Sequence, residues 1–281
     1  MLTYKKLNKI NISKYVELLS ICFPGTKIFN YEYLEWLYFK NPNGNAIGFD
    51  AFDKDILVAH YSLIPKKIKL HGQTHKCLLS LNTATHPSYQ KKGLFLDLAK
   101  LSIKEAVKLN YSSIYGVANK NSLRGFEKLG FNFIKRLDII ITFNNIKACF
   151  TNKKLDFLPI WDELSLRWRV SNPNKKIYIT KGEYNPTLST PFIKKIVNII
   201  TPENLEKDNL NYSFIDHLNP SIFNVHIGLV PKKIKFNKFL KFNLPLIFRK
   251  APLNFIYLNL KGKNNVNKDN IYFTFIDFDA Y

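Results

Sequence analysis

Acidic side chains are scarce in this chain: 21 aspartates and glutamates face 42 lysines and arginines, a formal charge of +21 over 281 residues. Cysteine is scarcer still. Cys22, Cys77 and Cys149 form no spacing suited to a zinc site or a disulfide framework, which speaks for a reducing compartment. No stretch reaches the ~18 consecutive apolar residues that a membrane-spanning helix needs, and the opening MLTYKKLNKI lacks the apolar centre of a secretory signal. These absences lead us to expect a cytoplasmic protein with no integral membrane segment and no metal centre. With 46% hydrophobic and 22% charged residues the chain is globular. Its length suits one large domain or two ordinary ones. The positive charge is spread along the chain and not gathered in one arm. Compositional bias therefore explains it better than a nucleic-acid partner, and a basic cleft for a small polyanion fits as well. Oligomeric state is left open.

What is present is organised around Leu78–Leu98, LLSLNTATHPSYQKKGLFLDL. An apolar-rich, β-compatible run is stopped by His86-Pro87. A short polar loop follows, then Gly93 and a long helix with apolar periodicity. A strand that feeds a basic, glycine-containing turn at a helix N-terminus is an anion site. Free N–H groups point outward there and the helix dipole adds roughly +0.5 charge. Lys91 and Lys92 supply cations, and Gly93 lets the backbone come close to a ligand.

Thr85-x-Pro87-x-x-Gln90-x-x-Gly93-x-Phe95 resembles the pyrophosphate loop of the GNAT superfamily of acyl-CoA-dependent N-acyltransferases. Asn119-x-x-Ser122-x-x-x-Phe126-Glu127-Lys128-Leu129-Gly130-Phe131 is similar to the signature that follows it in that family. The resemblance covers about residues 1–145. It implies an α/β (α+β) GNAT fold, a mixed central sheet flanked by helices, in the order β-α-α-β-β-β-α-β-α-β. The patterning agrees: a strand at 2–7, helices at about 11–22 and 31–40, a hairpin over 46–52 and 56–63, a strand at 77–85, a helix at 94–110, a strand at 113–118, a helix at 121–129 and a closing strand at 138–143.

The second half holds an echo of the first. Leu34-Glu-Trp-Leu-Tyr-Phe-Lys-Asn41-Pro42-Asn43 has a counterpart in Ser165-Leu-Arg-Trp-Arg-Val-Ser-Asn172-Pro173-Asn174, each an aromatic-bearing helix running into Asn-Pro-Asn and then a strand. A coincidental turn is the competing reading. The preferred one takes 1–150 as the acyl-CoA-binding GNAT domain and 151–281 as a degenerate GNAT-like, acceptor-binding domain, with Asn152–Pro159 as linker. Gly182, Gly228 and Gly262 of the second half stand in no Gln/Arg-x-x-Gly loop. The basic, aromatic stretch from Val230 to Lys250 reads as strand and loop of that domain in preference to a membrane-surface segment.

The resemblance also implies roles. Thr83, Ala84 and Thr85 would hydrogen-bond the pantetheine arm through their backbone, with an amide at Ala84 polarising the thioester carbonyl. Amides and side chains from Gln90, Lys91, Lys92, Gly93, Leu94 and Phe95 would take the pyrophosphate. Asn119, Ser122 and Phe126 would meet the lower arm of the cofactor. Phe126 stands where the family has a tyrosine that protonates the leaving thiolate, so that acid is missing. For the base, His60 in Val58-Ala59-His60-Tyr61 comes first and His86 second, against an acceptor amine that arrives neutral and needs only Asn82 or water. Trp36, Tyr38, Arg167 and Arg169 are candidates for the acceptor, the arginines for a phosphate, with core packing or a solvated face as the plainer reading of each. The expected reaction moves an acetyl or hydroxybutyryl-type group from acyl-CoA to the amine of a nucleotide-linked amino sugar for surface polysaccharide. Alternatives are a tRNA-dependent aminoacyl transferase of the peptidoglycan-bridge type and a non-catalytic CoA-binding module.

Overall fold

A computed structural model describes residues 1–142, 148–149, 155–180, 187–193, 197–202, 222–231, 235–236, 242–243, 253–262 and 266–278. The chain divides into two compact units. The first holds residues 1–67, 75–133 and 255–264, and the second holds 68–74, 134–254 and 265–281.

In the first unit, β1 (Leu2–Lys6) is followed by α1 (Ile12–Cys22) and α2 (Tyr31–Phe39), then by β2 (Ile47–Asp53), β3 (Ile56–Leu70) and β4 (Gln73–Thr85). After α3 (Leu94–Lys108) come β5 (Ser113–Ala118), α4 (Lys120–Lys128) and β6 (Asn132–Arg136), whose last three residues are counted with the second unit. This is the expected order, in a mixed sheet: β1 and β2 run antiparallel, as do β2 and β3, while β4 and β5 are parallel. The sheet order is β1-β2-β3-β4-β5, then Asn254–Asn259, then β6. The strand that closes this row after α4 is therefore β6. The stretch read from the sequence as the closing strand is β7 (Asp138–Thr142), which belongs to the other sheet.

The helices form where the local signals place them. Asn30 caps α2 by accepting from the Tyr33 N–H at 2.8 Å, and the φ of +84° at Gly25 turns the chain after α1. α3 buries Leu94, Leu98, Ala99, Ser102 and Ala106, a stripe at helical spacing. That stripe meets Val58, Tyr61, Leu63, Leu78 and Ile114 of the sheet, with Phe126 and Phe131 behind it, in one apolar core. Ile256, Leu258 and Leu260 join the same core from far along the chain.

The second unit is built on another mixed sheet. Tyr178–Thr180, Thr187–Ile193, Val197–Pro202, Phe223–Leu229 and β7 follow one another in it, with Phe273–Thr274 paired to Phe223–Leu229. Val197–Ile199 runs parallel to Phe223–Val225, while Tyr178–Thr180 with Thr187–Ile193, Thr187–Ile193 with Val197–Pro202, and Phe223–Leu229 with β7 are antiparallel. Its one described α-helix, α5 (Glu163–Val170), is capped by Asp162, which accepts from the Ser165 N–H at 2.9 Å. The run at 271–278 alternates apolar and polar residues over part of its length, yet it forms only a two-residue strand, Phe273–Thr274, followed by a 3-10 turn at Phe275–Asp277. There the Asp277 carboxylate accepts from the Thr274 N–H at 2.7 Å and the Trp161 indole at 2.8 Å, which pulls the chain out of extended geometry. Gly182 and most of Val230–Lys250 lie outside the described residues.

Candidate active site

Two parallel strands come apart at their carboxyl ends. β4 and β5 are in register at Leu78↔Ile114, Leu79↔Tyr115 and Ser80↔Gly116, yet β4 continues to Thr85 and β5 to Ala118. At the root of this fork Gly116 lets the strands approach: a Cβ there would stand 3.1 Å from the Ser80 carbonyl oxygen. Just beyond, Asn82 has a φ of +53°, a left-handed residue in the middle of a strand. Asparagine tolerates that conformation better than most residues. The bend is fastened by Ser62, whose hydroxyl donates to the Leu81 carbonyl at 2.6 Å. A fork of this kind offers main-chain donors and acceptors to an extended ligand, as a sheet edge does. Thr83, Ala84 and Thr85 lie along it, Ala84 buried and its neighbours half-buried.

The fork leads into the basic turn. His86 caps a 3-10 turn at Pro87–Tyr89, its Nδ1 accepting from the Ser88 N–H at 3.3 Å, and the Gln90 carboxamide donates back to the Thr85 carbonyl at 3.3 Å. Lys91 and Gly93 both have positive φ, +62° and +81°. Left-handed residues set so close together before a helix start help turn neighbouring N–H groups into a common concavity that favours anions. Gly93 is the N-cap of α3, so no side chain caps the helix, and a Cβ built on it would meet nothing within 4 Å. Gln90, Lys91, Lys92 and Gly93 are exposed, and the Lys92 ammonium lies 4.6 Å from the centre of the Tyr89 ring. Leu94 and Phe95 turn inward. Leu94 is buried, and the Phe95 ring packs edge-on against Phe126 at 5.2 Å and Tyr61 at 6.0 Å. Their side chains hold the helix start in place and leave only their amides to a ligand.

At the N-terminus of α4, Asn119 follows β5 directly. Its Oδ1 accepts from the N–H groups of Asn121 and Ser122, both at 2.9 Å, and the Ser122 hydroxyl folds back on it at 3.2 Å. Phe126 is buried to 5% exposure against Phe95 and Phe131, a packing environment. Gly125 exists for the same contact, since a Cβ there would come within 2.4 Å of Phe95.

Behind the fork lies a chain of buried polar groups that joins four elements. His60 is 1% exposed. Its Nδ1 is 2.7 Å from Asp50 Oδ1 and its Nε2 is 3.0 Å from the Tyr38 hydroxyl. The Tyr15 hydroxyl donates to Asp50 Oδ2 at 2.7 Å, and the Tyr15 and His60 rings lie 4.5 Å apart. Tyr38 in turn accepts from Asn82 Nδ2 at 3.0 Å. Burial raises the pKa of Tyr38 above the ordinary phenol range, against the pull of the Ser62 and Asn82 hydrogen bonds. Burial does the same for Tyr15, and the neighbouring Asp50 charge adds to it. Both remain neutral hydroxyls at physiological pH.

The structure thus brings together His60, Tyr38 and Asn82, which the sequence had offered for different tasks. His60 does not face an open cleft: both ring nitrogens are engaged inside the unit. Asp50 and Tyr15 were missed. A hint of Asp50 was available, an acid between Phe49 and Ala51 inside the otherwise apolar run from Ile47 to Phe52. Trp36 is buried beside Tyr33 in α2. Arg167 and Arg169 belong to the second unit. There Arg167 forks onto Glu163 at 2.7 and 3.0 Å, and Arg169, 1% exposed, donates to the Phe278 carbonyl at 3.3 Å. Among the described residues no cluster of His, Cys, Asp and Glu could hold a metal ion, and no helix is long and apolar enough to cross a membrane.

Comparison with known proteins agrees with this geometry. No curated protein matches the chain in sequence. Among solved structures, a conserved protein of unknown function from Enterococcus faecalis V583, described as a probable N-acyltransferase, is similar over 94% of this chain and 74% of its own, at 11% identity and a TM-score of 0.59. A GCN5-related N-acetyltransferase from Anabaena variabilis is similar over 93% of this chain and 73% of its own, at 11% identity and a TM-score of 0.56. A putative acetyltransferase from Pyrococcus horikoshii covers 96% of this chain and 92% of its own, at 10% identity and a TM-score of 0.54. At such identities these likenesses show the fold. Residues 3–134 match the family model described as an acetyltransferase (GNAT) domain, the part of the chain that carries the fork and the basic turn. The chain therefore contains a GNAT acetyltransferase domain, and it is an acyl-CoA-dependent N-acyltransferase with acyl-CoA as co-substrate.

Proposed function

We propose that the acyl group passes by direct attack of an amine on the thioester held along Thr83–Thr85, with the diphosphate of CoA on the amides of Gln90–Phe95. The observation that carries this is the conjunction of an opened strand pair with an uncapped helix start one short turn away. Direct attack needs both reactants held in line. It needs no enzyme nucleophile, and a thiol of ordinary pKa, near 8.5, leaves without an acid at Phe126.

For the acceptor, our reading is the amino group of a nucleotide-linked amino sugar on the way to surface polysaccharide, in the cytoplasm. The excess of 42 basic over 21 acidic residues supports an anionic acceptor. We assign acceptor recognition to residues 151–281 and read them as a degenerate second copy of the first half. In support, Asn41 and Asn172 are both buried, and each accepts on its Oδ1 from the N–H two residues on, at 3.0 Å (Asn43) and 2.9 Å (Asn174). The two Asn-Pro-Asn turns are thus alike in hydrogen bonding as well as in sequence.

Calorimetry with acetyl-CoA and CoA, followed by mass spectrometry of a panel of UDP- and dTDP-linked amino sugars incubated with acyl-CoAs, tests both parts. Binding of acyl-CoA and a mass gain of one acyl group on a sugar nucleotide is the expected result. Binding of CoA with acylation of other amines alone overturns the sugar assignment. Stabilisation by charged tRNA in place of CoA overturns the acyl donor.

A further inference from the structure

The buried chain behind the fork has a direction, and the direction can be followed atom by atom. Asp50 is a carboxylate and can only accept. It takes the Tyr15 proton on Oδ2 and the His60 Nδ1 proton on Oδ1. With the ring proton on Nδ1, Nε2 is the acceptor that faces Tyr38, so the Tyr38 proton goes there. The Ser62 proton is committed to the Leu81 carbonyl, which is 2.6 Å away against 3.3 Å to Tyr38. The Tyr38 oxygen is left as an acceptor. Asn82 must therefore turn its Nδ2 inward, which is the orientation seen. An Asn carboxamide has two ends. With the nitrogen fixed on Tyr38, Oδ1 is turned away from the buried chain, on a half-exposed side chain, and it makes no hydrogen bond among the described residues.

We propose that Asn82 Oδ1 receives an N–H of the attacking amine, and that Asp50, acting through His60 and Tyr38, is the positioning device that keeps this oxygen facing the thioester. The proposal rests on the N-acyltransfer reading above and gives its acceptor side a residue. Asn82 lies at the left-handed bend of β4, one residue before Thr83, where the fork that would hold the thioester begins. A carboxamide oxygen cannot take a proton at physiological pH. It orients a neutral amine with its lone pair toward the carbonyl carbon. Nitrogen then bonds to that carbon, the C–S bond breaks, the electron pair leaves on sulfur, and the amine's proton passes to solvent or to the departing thiolate. His60 contributes by fixing polarity and not by accepting that proton. This explains why an imidazole that would otherwise be an obvious base is closed off beneath two tyrosines.

Three variants separate this from a merely structural network. Asn82→Gly removes the carboxamide while glycine keeps the left-handed bend without strain. Tyr38→Phe removes the hydroxyl that holds Nδ2. Asp50→Asn can donate to His60 Nδ1, which moves the ring proton to Nε2 and reverses the chain, as the wrong tautomer does in a catalytic triad. With acetyl-CoA and whichever UDP- or dTDP-amino sugar is turned over, each is expected to lose about tenfold in kcat/KM for the amine, about 1.4 kcal/mol, with the Kd for CoA unchanged. The double variant Asn82→Gly/Tyr38→Phe is expected to lose no more than Asn82→Gly alone. Additive losses, or losses that follow Tm and CoA affinity, overturn the proposal. The carboxamide itself gives a readout independent of any acceptor. In 15N-edited NMR spectra the Asn82 Nδ2 protons should be protected from exchange in the wild type and lose that protection in Tyr38→Phe and Asp50→Asn. Exposed Nδ2 protons in the wild type overturn the inference even if acyl transfer is established. Failure of every amino sugar alongside a protected carboxamide overturns the acceptor assignment and leaves the orientation standing.

Discussion

The two helices that begin beside the fork are made differently. α4 starts on Asn119, whose side chain satisfies two of the first-turn N–H groups. α3 starts on Gly93, which has no side chain to offer. The first four N–H groups of a helix need partners from outside it, and a protein that can supply them usually does, as Asn30 and Asp162 do for α2 and α5. At α3 the sequence withholds the cap, places two left-handed residues in front of it and surrounds it with exposed lysines. On the proposed function, the missing partner is the diphosphate of CoA. α4 is closed upon itself and contributes chiefly by packing.

The largest effect should come from the packing side of that contrast. Phe126→Ala removes a ring that is 5% exposed between Phe95 and Phe131. It should cost about 3–5 kcal/mol of unfolding free energy, read by denaturant titration. If Phe126 were instead a wall of the cofactor site, acyl-CoA affinity would fall with little change in stability.

Gly93→Ala comes next. No neighbour stands where the Cβ would go, so the folded state loses only about 1–2 kcal/mol to the φ of +81°. On the proposed function, that Cβ would occupy the space through which the turn approaches the diphosphate. Calorimetry should show CoA binding weakened at least about tenfold. An unchanged Kd would mean that the turn binds no phosphate.

The sequence disclosed the elements of this contrast well and their connections poorly. Strand, turn and helix around Gly93 were legible because each is a local signal: an apolar run, His86-Pro87, a glycine, a 3.6-residue period. The buried chain was not, because Tyr15, Tyr38, Asp50 and His60 come from four separate elements. Even the hairpin that joins two of them misleads. Counting back from the pair Asp53↔Ile56 sets Asp50 opposite Ala59, but the register shifts between Ala51 and Phe52, and His60 faces Asp50 instead. A bulge moves every later residue by one, and nothing in Ile47–Leu63 announces it. The strand Asn254–Asn259 was missed for a similar reason. Its place beside β5 depends on partners more than a hundred residues away, which no local period can reveal.

Asn119→Ala sharpens the contrast from the other side. Loss of a helix cap costs about 1 kcal/mol, so Tm should drop modestly while the Kd for CoA stays within about twofold of wild type. A loss of affinity comparable to that of Gly93→Ala would place ligand contacts at both helix starts.

The smallest effect tests whether the basic turn acts through its charge or its shape, and Lys91 allows the two to be parted. Its φ of +62° costs a non-glycine residue about 1 kcal/mol. Lys91→Ala keeps that strain and removes the charge. Lys91→Gly removes both, but glycine gives back about 0.5–1 kcal/mol through the entropy of the unfolded chain. Both variants should therefore sit close to wild type in stability. If the ammonium is what matters, both should also bind CoA a few-fold more weakly at low salt, and the deficit should shrink as ionic strength shortens the screening length toward about 3 Å at 1 M. If instead the left-handed backbone is what matters, Lys91→Ala and Lys91→Gly would both bind as wild type does, at low salt as at high. The turn would then be a pure main-chain cradle, with the lysines serving only to bring the polyanion near.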